Sequence, residues 1–222
     1  MRDLIIQGLG SSYHAAQYGA HLFKQLKVFD TVRVVSPHDV NPLLFKNIKQ
    51  GGFLTVSKNG GDANLVKAVK LAYMSELTCM NVVNQVNSPV TKAIDEVLRE
   101  QKENQDKDKQ RVLFNADSDE DENDDKFQDK NIGMYTKCGY CYTDLKSYIP
   151  QVVCLTMVAL WFSHCKMSTN TSMKYSLEEK KAIIEDRKTM VHDIGCLSLS
   201  MKYALQSSYI AKYKEIAKYL KT

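Results

Sequence analysis

The first hundred residues alternate between short apolar runs and longer amphipathic segments. The apolar runs have the length and composition of buried strands, and they lie at residues 4–6, 31–35, 52–56 and 79–83. The segments between them repeat apolar residues at helical spacing, at residues 13–26, 42–49 and 63–75, and another short helix begins at residues 88–89. This alternation predicts an α/β fold with a parallel sheet, right-handed crossovers and helices on both faces.

The second half of the chain is predominantly helical by the same criterion. Residues 111–114 are a candidate fifth strand, and the apolar segment 137–164 predicts a helix central to a core or an interface. Ser176 and Glu179 have the spacing of a capping box, which predicts a helix over about 177–194. A row of mostly apolar residues then follows, at alternating spacings of four and three. Its members are residues 199, 203, 206, 210, 213, 217 and 220. It is typical of a last helix that packs in a core or on a partner helix.

The composition is that of a soluble globular protein. The chain has 222 residues, of which 44% are hydrophobic and 25% charged, enough for one large or two small domains. No N-terminal stretch has the pattern of a signal peptide, and the longest apolar run, residues 149–162, is too short to cross a bilayer. We therefore expect a cytoplasmic protein without a membrane role. No dense basic and aromatic run indicates a nucleic-acid partner.

The net charge of +4 conceals an acidic segment. Residues 116–130 contain eight acidic residues and two lysines, a net charge of −6, which leaves +10 on the rest of the chain. Because dense like charges repel and bury no apolar surface, we expect a disordered insertion over about 100–130, either a tolerated surface insertion or a regulatory one. The expected domains are an α/β domain over 1–172 that contains this insertion, and a C-terminal helical extension over 173–222.

One junction between a strand and a helix has the character of an anion site. The strand of 52–56 is followed by the polar, glycine-containing turn 57–62 and then by the helix of 63–75. The first amides of a helix are unpaired and its dipole adds positive charge, so such a junction favours a phosphate. The loops at 8–12 and 57–62 both leave carboxyl ends of strands, where ligands of parallel sheets bind. A plain structural turn is the alternative, because many α/β loops share this pattern.

Other residues offer less specific chemistry. Of six cysteines, Cys138 and Cys141 form a lone C-x-x-C without the second pair that a zinc ribbon needs. The remaining cysteines lie in apolar sequence and are expected to be reduced core residues. His14, on the first helix, is either a satisfied structural histidine or a base. No catalytic set or metal cluster follows from the sequence, so we expect no metal site and no cofactor.

Four motifs, in order along the chain, resemble those of the sugar isomerase (SIS) domain. They are GLGSSYHAA at residues 8–16, VSKNGGDA at 56–63, NVVN at 81–84 and NIGMYTKCGY at 131–140. The similarity extends from residue 4 to about 215, and is greatest to the first SIS copy in the isomerase half of glutamine:fructose-6-phosphate amidotransferases. The resemblance implies a flavodoxin-like, three-layer sandwich around a five-stranded parallel sheet, followed by C-terminal helices.

The resemblance also implies a sugar-phosphate site. In the family, loop amides and hydroxyls bind the phosphate, and the corresponding residues here are Ser11, Ser12, Ser57, Lys58, Asn59, Gly60, Asp62 and Thr136. Asp62, where the family has threonine, is expected to cap the helix of 63–75 and to accept the amides that a phosphate would take. The cap is worth about 1 kcal/mol, and unscreened repulsion between a pair of like charges about 4 Å apart costs about 4 kcal/mol near a surface. Lys58 offsets part of that repulsion.

Two functions are compatible with these residues. In the first, the chain is a catalytically degenerate SIS module that binds a hexose phosphate weakly, or is a structural subunit of a larger assembly. In the second, it is a fragment or subunit of an amidotransferase-type enzyme that converts fructose 6-phosphate to glucosamine 6-phosphate. We favour the first and assign no catalytic residue, because the sequence contains neither the N-terminal cysteine nucleophile nor the second SIS copy of those enzymes. Family SIS domains pack against another copy, so we expect a protein partner or a homodimer through the apolar segments 149–162 and 199–220.

Overall fold

Five parallel strands form the central sheet of the computed structural model, which describes residues 1–46, 48, 51–97, 99–100, 131–137, 145–168 and 175–219. The strands are β1 (Asp3–Gly8), β2 (Thr31–Val35), β3 (Gly51–Val56), β4 (Thr78–Val83) and β5 (Asn131–Tyr135). Their order is β2-β1-β3-β4-β5, and every neighbouring pair is parallel. The predicted α/β fold with a five-stranded parallel sheet is confirmed.

Helices cover both faces of this sheet. In the unit that contains the sheet, they are α1 (Ser11–Gln25), α2 (Ala63–Met74), α3 (89–97) and α4 (Leu145–Ser168). Two more helices follow along the chain, α5 (Leu177–Ala204) and α6 (Ser207–Tyr219). On one face, α2 and α3 bury Val69 and Ile94 against Ile5 and Phe53 of the sheet. On the other, α1 packs on β1 and β2. The layers are therefore helix, sheet and helix, as expected of predominantly apolar parallel strands.

The fifth strand of the described sheet, β5, lies in a segment where the sequence pattern predicted no strand. Residues 111–114, our candidate, lie outside the described residues, as does the acidic segment 116–130, so both predictions stay untested. The described fifth strand, β5, carries little hydrophobic signal, because it is an edge strand with Ile132 45% exposed and Gly133 at its centre. The helix predicted over 42–49 is also wrong in its described part, where a single 3₁₀ turn spans Pro42–Leu44.

Helix α4 packs closely along α1. A Cβ atom added at Gly19 of α1 would lie only 3.1 Å from Cδ1 of Leu155, so the glycine permits this approach. Leu155 and Ala159 are fully buried, whereas Met157 and Trp161 on the opposite side are 59% and 58% exposed. The helix is thus apolar all round but buried on one side only.

By length and composition alone, residues Lys146–Ser168 of α4 could also cross a membrane. The sequence analysis judged only the apolar run of residues 149–162 too short to cross a bilayer. The helix extends beyond that run at both ends. Core helices of soluble proteins satisfy the same criterion, and one third of its most apolar window is buried in this fold. This property therefore does not make α4 a membrane span.

The chain divides into two compact units, Met1–Cys165 and Lys166–Thr222. In the second unit, α5 begins with the predicted capping box: Glu179 N donates to Ser176 Oγ at 3.1 Å, and Ser176 N donates to Glu179 Oε2 at 2.9 Å. The helix continues to Ala204 rather than ending near residue 194.

The single last helix predicted over 199–220 is wrong. Helix α5 ends at Ala204 and α6 begins at Ser207, because the carbonyl of Gln206 starts a new helix by accepting the amides of Tyr209 and Ile210. The core interpretation of the row over 199–220 is wrong as well, since Leu199 is 71% and Tyr213 54% exposed. Packing on a partner stays a prediction.

Candidate functional site

The strand order has a topological switch point between β1 and β3. The chain leaves β1 for β2 on one side, then crosses back to β3 on the other, so the loops after β1 and β3 diverge at this point. In open parallel sheets such a switch point, at the carboxyl ends of the strands, is where ligands bind. Gly8 pairs with Val56 in register, so the loop at 9–10 and the loop at 57–62 leave the sheet side by side.

The loop at 57–62 has a defined conformation. Ser57 N donates to Val82 O of β4 at 3.0 Å, and Ser57 Oγ accepts the amide of Gly60 at 3.0 Å. Gly60 has φ of +63°, and a Cβ atom there would meet the Ser88 side chain at 3.1 Å. Only glycine fits this position without strain. The hydroxyl hydrogen of Ser57 is left to donate to another group.

Asp62 caps α2, as predicted. Its Oδ1 accepts the amides of Asn64 and Leu65, each at 3.0 Å. These are two of the unpaired amides that would otherwise hold an anion at the helix N-terminus. The carboxylate of Asp62 therefore satisfies two of the amides at the start of α2.

The N-terminus of α1 is different, because no side chain caps it. Its N-cap residue is Gly10, with φ of 59°. Ser12, in the first turn, is buried, and its Oγ accepts a hydrogen bond from Nε2 of Gln151 on α4 at 3.1 Å. Ser12 therefore faces α4, whereas Ser11 is partly exposed at the helix start.

Thr136 is joined to the loop at 57–62 through Asn84. Its Oγ1 donates to Asn84 Oδ1 at 3.5 Å, and its amide donates to Val83 O at 2.9 Å. Asn84 N in turn donates to Lys58 O at 3.2 Å. The structure thus links the segments that carry six of the eight expected residues: Ser57, Lys58, Asn59, Gly60, Asp62 and Thr136. Ser11 and Ser12 lie on the neighbouring loop and helix, with Ser12 turned inward.

A buried polar row lies beneath the first turn of α2, and the sequence analysis did not identify it. Gln7, Thr55 and Asn81 are neighbours in register across β1, β3 and β4, and all are 0% exposed. Gln7 Nε2 donates to Thr55 Oγ1 at 2.9 Å and to Leu65 O of α2 at 3.3 Å. The row fixes the helix start to the sheet. Its signal was present, because each of these apolar strands carries one polar residue just before its carboxyl end.

Two other side chains near these helix starts were missed. Gln151 is 1% exposed in a predominantly apolar helix that also buries Ser147, Thr156 and Ser163, and nothing in its local pattern distinguishes it. His38, in the turn after β2, has its Nδ1 3.1 Å from Nδ2 of Asn64 in the first turn of α2. His14, the histidine that we did consider, is exposed and has its Nδ1 3.2 Å from Gln17 Oε1.

The ligand chemistry of the edge is limited to hydrogen-bond donation and charge. The loop at 57–62 contributes one ammonium group, Lys58, and one carboxylate, Asp62. Among the described residues, no group of three histidine, cysteine or acidic side chains could hold a metal ion. Cys138 and Cys141 lie outside the described residues. Burial raises the pKa of Cys79 to about 12, so that thiol is neutral and inert in β4.

The sequence of the chain is similar to that of a known protein over part of its length. No family model matches the chain. A protein of Acanthamoeba polyphaga mimivirus, named a probable glutamine–fructose-6-phosphate aminotransferase (isomerizing), is 26% identical over 98 residues, which are 44% of this chain and 16% of that protein.

Solved structures match more of the chain at lower identity. A protein from Salmonella typhimurium LT2 described as sugar-binding has a TM-score of 0.52 at 15% identity, covering 92% of this chain and 49% of its own. A protein from Clostridium difficile 630 described as a phosphosugar isomerase has a TM-score of 0.52 at 18% identity. That match covers 92% of this chain and 47% of the Clostridium protein. The Vibrio vulnificus NanR protein complexed with ManNAc-6P has a TM-score of 0.50 at 12% identity, covering 86% and 56%.

The chain spans about half the length of these structural relatives and about a sixth of the mimivirus protein. At identities this low, the structural likeness concerns the fold. The chain therefore has the fold of the sugar isomerase (SIS) domain, and the resemblance of its motifs to that family is confirmed at the level of the fold.

Proposed function

We propose that the chain is a SIS-type module that binds a sugar phosphate weakly at the carboxyl edge of its sheet and does not catalyse a reaction by itself. The observation that carries the proposal is the cap of α2. The carboxylate of Asp62 already accepts the amides of Asn64 and Leu65. An incoming phosphate would have to displace a fixed negative charge from the best anion position of this edge.

Residual binding is supported by the hydroxyl, the positive charge and the helix N-terminus that lie at this edge. Ser57 keeps a hydroxyl hydrogen, Lys58 brings a cation to the same loop, and α1 begins without a side-chain cap. A protein of the same fold was solved with a phosphosugar, ManNAc-6P. These donors favour a phosphosugar over an uncharged sugar, with an affinity below that of an intact phosphate loop.

The absence of catalysis is supported by the ionisable groups of the site. Moving a proton along a sugar needs a base within hydrogen-bond reach of the substrate. The loop at 57–62 offers Lys58 and Asp62, and the carboxylate of Asp62 is engaged by two amides. The ring of His38, near the same helix start, has its Nδ1 3.1 Å from Nδ2 of Asn64. Within this proposal, residues 1–172 form the SIS-type domain, and residues 173–222 are an extension that serves assembly with a partner or a second copy.

Calorimetric titration with glucose 6-phosphate at low salt tests the binding. We expect weak heats that fall further at high salt, because screening reduces the contribution of Lys58. An assay for isomerisation of fructose 6-phosphate should give no product. Micromolar binding by the unaltered chain would show that Asp62 does not block the site and would refute the proposal.

A second candidate is a part of an amidotransferase-type enzyme. It is favoured by the match to the mimivirus aminotransferase, of which this chain covers 16%. The two candidates differ in the size of the natural product. An immunoblot of the source material, with an antibody raised against this chain, should reveal a protein near 25.3 kDa if the module functions alone. A band more than twice that size would favour the enzyme.

A further inference from the structure

One side chain of the buried polar row contacts both the sheet and the helix that carries the cap. Gln7 is the last residue but one of β1 and is 0% exposed. Its Nε2 donates to Thr55 Oγ1 of β3 at 2.9 Å and to Leu65 O of α2 at 3.3 Å. The amide of Leu65 in turn donates to Asp62 Oδ1 at 3.0 Å. A connected series of hydrogen bonds therefore extends from the centre of the sheet to the cap of α2.

The orientation of the Gln7 amide follows from its partners. Leu65 O is a carbonyl oxygen and can only accept, so the amide nitrogen of Gln7, and not the amide oxygen, must face α2. The oxygen Oε1 is then left buried, and it has no hydrogen-bond partner among the residues that the structure describes. Burial of an unpaired acceptor is unfavourable. Glutamine is therefore not the side chain that would make this part of the core most stable.

An apolar side chain would suit the position of Gln7 better if only stability mattered. The three residues before it in β1, at 4–6, are apolar and fully buried. The carbonyl of Leu65 does not depend on Gln7 either, because inside α2 it can accept the amide of Val69, four residues further on. What the Gln7 amide adds is a fixed position of the first turn of α2 relative to the sheet.

Gln7 lies directly beneath the switch point, at the base of both loops of the candidate site. The residue after it ends β1 and pairs in register with the last residue of β3, and the loops at 9–10 and 57–62 begin there. Donors of a binding site must be held within about 0.5 Å of their working positions. The amides of Asn64 and Leu65 have this requirement whether they hold a carboxylate or a phosphate.

We propose that Gln7 is a positioning residue for the anion-binding amides of α2. By holding the carbonyl of Leu65 to the sheet, it fixes the amides of Asn64 and Leu65 at the carboxyl edge, where they receive an anionic group. In the unaltered chain that group is the carboxylate of Asp62. For an external ligand, this role of Gln7 rests on the proposed function, because a sugar phosphate would use the same amides once Asp62 is replaced.

Amide hydrogen exchange of the full chain tests this role without a ligand. In Gln7→Met, which nearly keeps the length of the side chain but has no donor, the amides of Asn64 and Leu65 should exchange about tenfold faster, because their position is no longer fixed. The amide of Val69 should keep its rate, and Tm should change by no more than about 2 °C, since the unpaired Oε1 is removed as well. Thr55→Val leaves the contact of Gln7 with α2 in place and is the matched control, with all three rates unchanged.

Calorimetric titration with glucose 6-phosphate tests the same role with a ligand. Adding Gln7→Met to Asp62→Thr should weaken binding by about tenfold, and adding Thr55→Val should not. No binding in any of these variants would refute the proposed function, and the exchange rates alone would then decide the role of Gln7.

Gln7→Leu is the second variant, in case Gln7→Met does not fold, and should give the same results. Several outcomes would overturn the role of Gln7. They are unchanged exchange of the Asn64 and Leu65 amides, faster exchange along the whole of α2 together with a fall in Tm, equal affinity with and without Gln7→Met, and failure of both variants to fold.

Discussion

Asp62 is the residue on which the candidate site depends, because its carboxylate lies where the anion of a phosphate loop would lie. The sequence predicted this role, since an aspartate directly before an amphipathic helix is a preferred N-cap. Ser12 shows the limit of such prediction. The sequence placed it in the turn before a helix over 13–26, whereas α1 begins at Ser11. Its hydroxyl pairs with Gln151, a residue 139 positions away. A contact between distant segments has no local signature.

Replacing Asp62 by alanine should destabilise the fold. Asp62→Ala leaves the amides of Asn64 and Leu65 without their side-chain acceptor, which costs about 1 kcal/mol and lowers Tm by about 2–4 °C for a chain of this size. Differential scanning calorimetry measures the change. Asn59→Ala, at an exposed position of the same loop, is the control and should shift Tm far less. Equal shifts would show that the cap carries no stability.

Cys79 should make the fold sensitive to alkaline pH. Burial raises its pKa from 9.0 to about 12, so above pH 9.0 the unfolded chain loses the thiol proton while the folded chain keeps it. Stability therefore falls as pH rises through this window, by no more than about 1.4 kcal/mol per pH unit. In urea unfolding at increasing pH, Cys79→Ala should lose stability less steeply than the unaltered chain, while Cys165→Ala should not differ from it. An unchanged slope in Cys79→Ala would contradict the assignment.

At the scale of elements, α4 shows how far a hydrophobic pattern determines structure. The sequence predicted a strongly apolar helix there, and the helix exists as Leu145–Ser168. The pattern did not specify which side is buried, because apolar residues occur all round. The small side chain of Gly19 on α1 permits the contact with Leu155. Burial of that one side follows from packing, a property that periodicity does not contain.

Leu155 should be the most sensitive position of α4. Leu155→Ala removes a fully buried side chain and should cost about 2–5 kcal/mol, through lost burial and the cavity that remains. Met157 lies two residues further along α4, on its exposed side, and is 59% exposed. Met157→Ala should change the free energy of unfolding by about 0.5 kcal/mol or less. Urea unfolding of both variants gives the comparison. Similar losses in the two would mean that α4 presents its other side to the core.

Two other elements show where the pattern was insufficient. β5 escaped detection because an edge strand with a central glycine, Gly133, carries little hydrophobic signal. The row over 199–220 continued through Gln206 in sequence, although the chain bends there and begins a new helix. A spacing of four and three is compatible with one helix or with two consecutive ones, so it did not determine the break.

At the scale of the whole molecule, the order of strands and helices was sufficient to predict the parallel sheet. Buried strands joined by helical crossovers have few arrangements, and right-handed connections reduce them further. The edge that carries the candidate site followed from the same argument. The buried row of Gln7, Thr55 and Asn81 did not. Each polar residue could be seen in its strand, but their contact follows only from the register of the three strands.

The central claim is that Asp62 prevents tight phosphate binding at a fold built to provide it. The most direct measurement is calorimetric titration with glucose 6-phosphate of the variant that combines Asp62→Thr, Lys58→Gln and Asn59→Ser, beside the unaltered chain. We expect the variant to bind at least about tenfold more tightly, a gain of ~1.4 kcal/mol, and Ser57→Ala in that background to remove the gain. Micromolar binding by the unaltered chain, with no gain in the variant, would contradict the account and make Lys58 a phosphate ligand in its own right.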